Sequence, residues 1–181
     1  MEGIFSTSER IRILEAIIFK ENNISVNSMA NQLKLSKGLV SKYFEILSKE
    51  GILKKTEGKA LVTDFSLVKG IRILFNIKRA GPKIFKKYPF VKSAGIYGSC
   101  AKGENIEDSD VDLWIRVKDT DEDRLASLTS ELNKKIKNVK VLFLTNGKIE
   151  KLRKEDPLFY HSLVFGSLIV YGEKNGIQSY P

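Results

Sequence analysis

Asp110 and Asp112 stand two residues apart at the head of an apolar run, "DVDLWIRV", and ten residues separate them from a Gly98-Ser99 pair. Residues two apart on a strand share a face, so both carboxylates point one way while Val111 and Leu113 turn toward a core. Two carboxylates this close repel, and one is held protonated unless a cation sits between them. Burial adds to the cost. A hard divalent cation is the natural partner, since Mg²⁺ takes one or two carboxylates together with substrate phosphates. Phosphates in turn need donors. Gly98-Ser99 closes one apolar run, "VKSAGIY", and opens what reads as a helix, so its backbone N–H groups can face an anion. Gly98 has no side chain to hold a phosphate off, Ser99 adds a hydroxyl, and Lys102 a nearby positive charge. The parts together read as a metal–triphosphate site. Asp110 and Asp112 are its metal-holding and catalytic residues, and Gly98, Ser99 and Lys102 its nucleotide-binding residues. The alternative for the two acids is a polar strand end or a turn cap.

Neighbouring residues read more plainly. Glu107 and Asp108 read as loop acids rather than ligands, and Glu104 as solvated, with contact to the metal or substrate as its alternative. Cys100 packs and is inert. His161, the sole histidine, sits in "PLFYHSLVF" as a structural residue.

The elements that must carry these residues fall into two parts within 181 residues. Over residues 1–90 there are 17 Lys and Arg against 8 acids, and over 91–181 there are 14 of each, so all the net charge of +9 lies in the first half. Such asymmetry points to a polyanionic partner for that half, or to a lysine-rich solvated surface. One cysteine excludes an internal disulfide and fits a reducing compartment. "ILEAIIF" is too short and too polar for a signal peptide, and no window approaches the roughly 20 apolar residues of a membrane helix. A cytoplasmic protein with no membrane partner is expected.

Helical spacing marks 9–20, with Ser8 as its cap, then 26–33, and then a third helix begun by Ser36. Leu39, Val40, Tyr43, Phe44 and Leu47 form the apolar stripe of that third helix, and Gly51 suits its C′ position. "ILKKT" and "KALVT" pair across a Glu57-Gly58 turn. A fourth helix over 66–79 leads through "RAGP" to a short helix at 82–88. Strands then alternate with helices: "VKSAGIYG", "SDVDLWIRV", an amphipathic helix in 121–137, "NVKVLFLT", helices at 148–155 and 157–165, and a last strand, "SLIVYG". The domains are therefore 1–64, a connecting helix and linker over 65–90, and 91–181.

Three helices and a hairpin in the first part resemble a winged helix-turn-helix, with "LKLSKGLVSKYFEILSKEGILKK" in the place of the recognition helix and first wing strand. A helix of this kind enters the major groove by its N-terminal residues. Here those are Ser36, Lys37, Ser41 and Lys42. Lys54, Lys55 and Lys59 on the hairpin suit phosphates, which give salt-dependent affinity without sequence information. DNA or RNA is the expected partner. Winged helices also serve as protein-interaction modules, and no Arg, Asn or Gln stands in the first turns of the third helix for bidentate base reading.

In the second part, "YGS-x-A-x-GE" followed by "SDVDLWI" resembles the polymerase-β-like nucleotidyltransferases, nearest their minimal branch, over about 91–172. The resemblance implies a mixed sheet flanked by helices, giving an α+β chain overall. It implies Mg²⁺ on the two acids and NTP phosphates on the Gly-Ser turn. The implied reaction moves a nucleoside monophosphate to an acceptor hydroxyl and releases pyrophosphate, with two metals clamping the attacking and leaving oxygens. The branch includes antitoxins that modify a toxin hydroxyl with AMP, so a protein acceptor is one possibility, beside a nucleic acid or a small molecule. A homodimer is a further possibility for a winged-helix protein.

The same family carries a third acid on the strand after the long helix. Here that strand, "NVKVLFLT", has none, and Lys140 is its only charge. Glu150, Glu155 and Asp156 lie beyond it as substitutes. Two expectations follow: a Mg²⁺-dependent nucleotidyltransferase brought to its target by a winged helix, or a DNA-binding regulator whose transferase domain senses nucleotide without turnover.

Overall fold

A computed structural model describes residues 3–21, 23–56, 59–173 and 176–177. The chain forms two compact units, Met1–Arg72 and Ile73–Pro181.

The first unit holds α1 (Ser8–Ile17), α2 (Val26–Leu33) and α3 (Lys37–Lys49), then β1 (Leu53–Thr56) paired antiparallel with β2 (Lys59–Val62). The Glu57-Gly58 turn expected between the strands lies outside the described residues. Hydroxyls start all three helices: Thr7, Ser25 and Ser36 accept from the N–H groups of Arg10, Ser28 and Leu39. Thr7, not the expected Ser8, caps α1, because Ser8 already has helical backbone and Thr7 the extended conformation a cap needs. Ile13, Leu14 and Ile17 of α1 are buried, as are Val40, Tyr43, Phe44 and Leu47 of α3. Leu39, placed in that stripe from its spacing, is exposed instead. It precedes the buried Val40 and falls at the edge of the apolar face. The Tyr43 hydroxyl donates to the buried Ile4 carbonyl at 2.8 Å.

Helix α4 (Ser66–Arg79) spans the boundary between the units. In the second unit Gly81, in left-handed backbone, opens a 3-10 helix at Pro82–Lys87. Then come β3 (Val91–Ile96), α5 (Gly98–Lys102), β4 (Val111–Val117), α6 (Glu122–Lys135), β5 (Val139–Leu144), α7 (Asn146–Glu155), α8 (Pro157–Gly166) and β6 (Leu168–Gly172). The sheet order is β5-β4-β3-β6. β4 and β5 are parallel, joined through α6, while β3 pairs antiparallel with β4 and β6. A parallel pair needs such a crossover helix. The mixed sheet flanked by helices expected from the sequence is what forms.

Strand alternation gives the sheet two cores. Val111, Leu113, Ile115 and Val117 face one cluster, with Leu128 and Leu132 of α6. Trp114 faces the other, with Leu144, Ile149 of α7, and Tyr160 and Leu163 of α8. Each fully buried side chain of this size contributes about 1.5–3 kcal/mol relative to exposure. Gly95 stands opposite Trp114 across β3–β4 because a Cβ there would lie 2.4 Å from the indole. No described helix is long and apolar enough to cross a membrane.

Candidate metal and nucleotide site

Asp112 shares the Trp114 face of β4, two residues toward its N-terminal end, and Asp110 lies just before the strand. The loop ahead of them is pinned. The Ser109 hydroxyl accepts from the Ile106 N–H at 2.9 Å, and the Val111 N–H donates to the Asn138 carbonyl at 2.9 Å. The buried Cys100 thiol donates to the Asp110 carbonyl at 3.3 Å.

Gly98 opens α5 with φ of +67°, a left-handed conformation that suits glycine. A Cβ on it would lie 2.9 Å from Asp112 Oδ2. The Gly-Ser turn and the second acid therefore abut, although twelve residues of chain lie between them. The Tyr97 N–H donates to the Asp112 carbonyl at 3.0 Å and fixes that approach. No side chain caps the start of α5 among the described residues. Behind it, the buried Asn76 amide of α4 donates to the Cys100 carbonyl at 2.8 Å and to Asn105 Oδ1 at 2.7 Å.

The cation beside the acids comes from β5. Lys140 stands in register with Asp112 across the parallel pair, and its ammonium lies 2.5 Å from Asp110 Oδ2. Burial raises the Asp112 carboxyl above the usual range, with the Asp110 charge acting the same way and the Lys140 charge opposing. The Lys140 ammonium is raised by its hydrogen bond and charge contact with Asp110. Burial first, and then the Asp112 charge, push the Tyr97 phenol up and the Cys100 thiol up to about 11.

The other expected residues divide. Ser99 lies in the first turn of α5 beside Gly98, while Lys102 is exposed at the far end of that helix. Asp108 pairs with Lys137 at 3.1 Å. The substitutes considered for a third acid are engaged elsewhere: Glu150 with Arg153, Glu155 with Lys151, and Asp156 as the cap of α8. His161 is exposed and stacks on Phe165.

In the first unit, the Ser36 hydroxyl is taken up by the α3 cap at 3.3 Å. Lys37 and Lys42 are exposed on α3, as are Lys54 and Lys55 on β1 and Lys59 on β2. Ser41, Lys55 and Lys59 line one cavity of about 300 Å³, and the Lys59 ammonium donates to Asn23 Oδ1 at 3.0 Å.

Sequence reading missed Asn76 and Asn105, whose mutual pairing needs the fold to bring 29 residues of separation together. It saw Lys140 as the lone charge of its strand but not as the partner of Asp110.

A family model described as polymerase beta, nucleotidyltransferase, matches residues 82–174. The chain belongs to this nucleotidyltransferase family. Among curated proteins nothing matches. Solved structures share limited likeness. A toxin–antitoxin crystallised with AMP-PNP is 18% identical, with 55% of this chain and 75% of that one covered, at a TM-score of 0.41. The toxin–antitoxin MntA-HepT is 16% identical over 55% and 73%, at 0.35. A tri-AMPylated Shewanella oneidensis HEPN toxin in complex with MNT antitoxin is 15% identical over 58% and 73%, at 0.34.

Proposed function

We propose that the second unit transfers a nucleoside monophosphate from an NTP to an acceptor hydroxyl, with Mg²⁺ as its cofactor, and that the first is a nucleic-acid-binding winged helix. The approach of Gly98 to Asp112 Oδ2 carries the first half of this reading, because it sets the backbone of the Gly-Ser turn directly against a carboxylate.

The donor set fits one such ion. Asp110 and Asp112 supply two carboxylates, and among the described residues no three or more His, Cys, Asp or Glu converge so as to hold a metal ion. Mg²⁺ completes its shell from phosphates and water. Bound there, it supplies positive charge to the phosphate oxygens. The chain does the rest. The first turn of α5 and the Ser99 hydroxyl hold the phosphates. Asp110, 44% exposed, keeps Lys140 on Oδ2 and has its other carboxylate oxygen for the ion. Tyr97 and the Asn76–Asn105 pair keep the turn against the strand. No acid of β5 takes the acceptor proton, and general-base help is worth about 10²–10⁴-fold, so turnover is slow.

In the first unit, Lys37, Ser41 and Lys42 face the groove and Lys54, Lys55 and Lys59 the phosphates. Ser36 serves through its cap. A second reading, a DNA-binding regulator that senses nucleotide without turnover, is favoured by β5 carrying Lys140 beside Asp112 and no acid. Label transfer from an α-labelled NTP to protein, nucleic-acid and small hydroxyl acceptors decides between them. Transfer that is lost in Asp110→Ala and Asp112→Ala supports the enzyme. Nucleotide binding with no label on any acceptor supports the regulator.

A further inference from the structure

We propose that the Lys140 ammonium is the second cation of this site, so that the protein takes one divalent ion with its nucleotide rather than two. The inference rests on the metal–nucleotide reading of Asp110 and Asp112.

Three observations carry it. The first is position. β4 and β5 are parallel and in register, so Lys140 lies beside Asp112 on the face that Asp110 and Asp112 share. Its ammonium touches Asp110 Oδ2, and the Asp112 charge also acts on it. The second is donor supply. A second hard ion needs oxygen ligands. β5 offers no carboxylate, and the acids of α7 and the α8 cap have other partners. The second ion would have only nucleotide oxygens and whatever oxygens Asp110 and Asp112 share with the first ion. The third is charge. Two carboxylates against one ammonium leave a single negative charge. One divalent ion turns this positive and suits a polyphosphate, while another would add two further positive charges beside a lysine.

The ammonium is also equipped for the task. It carries three donors. One suffices for Asp110 and the others remain for phosphate oxygens. The side chain is 66% exposed, so its flexible stem can follow a ligand. An ammonium is a point charge that needs no ligand shell of its own. It neutralises phosphate charge where a second ion would find no carboxylate of its own.

The test is the count of Mn²⁺ ions bound by the full chain with a saturating non-hydrolysable NTP analogue, read by electron paramagnetic resonance and corrected for free analogue. Wild type should bind one ion per chain. Lys140→Asp, which puts a carboxylate beside Asp112, should bind two, with spin–spin broadening. Two ions in wild type, or one in Lys140→Asp, would overturn the proposal. No ion on either protein, with circular dichroism unchanged, would sink the metal–nucleotide reading beneath it. A second readout tests the ammonium itself. At saturating Mn²⁺, Lys140→Met should bind the analogue about tenfold more weakly, the loss of one phosphate charge contact, and Lys140→Arg should keep most of the affinity. Equal or tighter binding by Lys140→Met would make Lys140 a plug over the acids and overturn the proposal.

Discussion

Gly98→Ala separates backbone strain from site chemistry. The glycine has φ of +67°, and a side chain in that conformation costs about 1–2 kcal/mol. The new Cβ would stand 2.9 Å from Asp112 Oδ2, where an ordinary contact begins at 3.4 Å, so the carboxylate must withdraw by about half an ångström. Asp112 is only half-buried and can move. The stability loss is therefore mainly the backbone share, about 1–2 kcal/mol. The same half ångström is the tolerance of a working site. Affinity for Mg²⁺–NTP should fall tenfold or more, and each factor of ten is about 1.4 kcal/mol. Urea unfolding followed by the fluorescence of Trp114, the one tryptophan, reads the first quantity, and calorimetry reads the second. Gly70→Ala in α4, at ordinary φ with nothing within 4 Å of the new methyl, is the control. It lies in the first unit and should gain up to about 1 kcal/mol there, read by circular dichroism, while leaving the Trp114 transition and the affinity unchanged. A Gly98→Ala protein equal to wild type in both stability and affinity would refute the argument that this turn presses on the acid.

Gly95→Ala places a methyl 2.4 Å from the buried Trp114 ring and should destabilise the second unit by about 1–3 kcal/mol or more, measured in the same unfolding experiment. Glu131 is held down to about 2 by hydrogen bonds from Lys87, Lys135 and Tyr88. Its contribution to stability is full above the ordinary carboxylate range and is lost as pH falls from about 4.5 toward 2, so Glu131→Gln should flatten that limb of a melting-temperature profile. Cys100, with its thiol pushed up to about 11, exposes about a thousandth of its thiolate at pH 8. It should resist iodoacetamide in the folded protein and react on unfolding, as mass spectrometry would show. If the first unit binds DNA through its hairpin, Lys54→Glu with Lys55→Glu should weaken binding on every sequence. The slope of log affinity against log salt should fall by about two.

The acidic pair was legible because its meaning lies in short spacing. Alternation places the two acids on one face, and the antiparallel pairing of β3 with β4 brings the Gly-Ser turn against the second of them. The alternation of β4 also told which side chains enter a core, and Val111, Leu113 and Ile115 are buried as that pattern requires. Lys140 was visible only as an oddity, because its contact with Asp110 depends on the register of two parallel strands joined through a helix, which no local pattern encodes. The Asn76–Asn105 pair has the same cause: each asparagine is ordinary in sequence, and only the packing of α4 behind α5 makes them partners. Thr7 and Ser8 are chemically equivalent as caps, so only backbone conformation chose between them. Leu39 shows the edge of an apolar face, where one residue decides exposure.

The measurement that bears most directly on the central claim is calorimetric titration of each NTP into wild type and into Asp110→Ala/Asp112→Ala, with and without Mg²⁺. Binding that needs both the ion and both acids is the predicted result. Well-folded wild-type protein that binds no NTP, or a double variant that binds as tightly as wild type, would contradict it and leave the first unit as the part that functions.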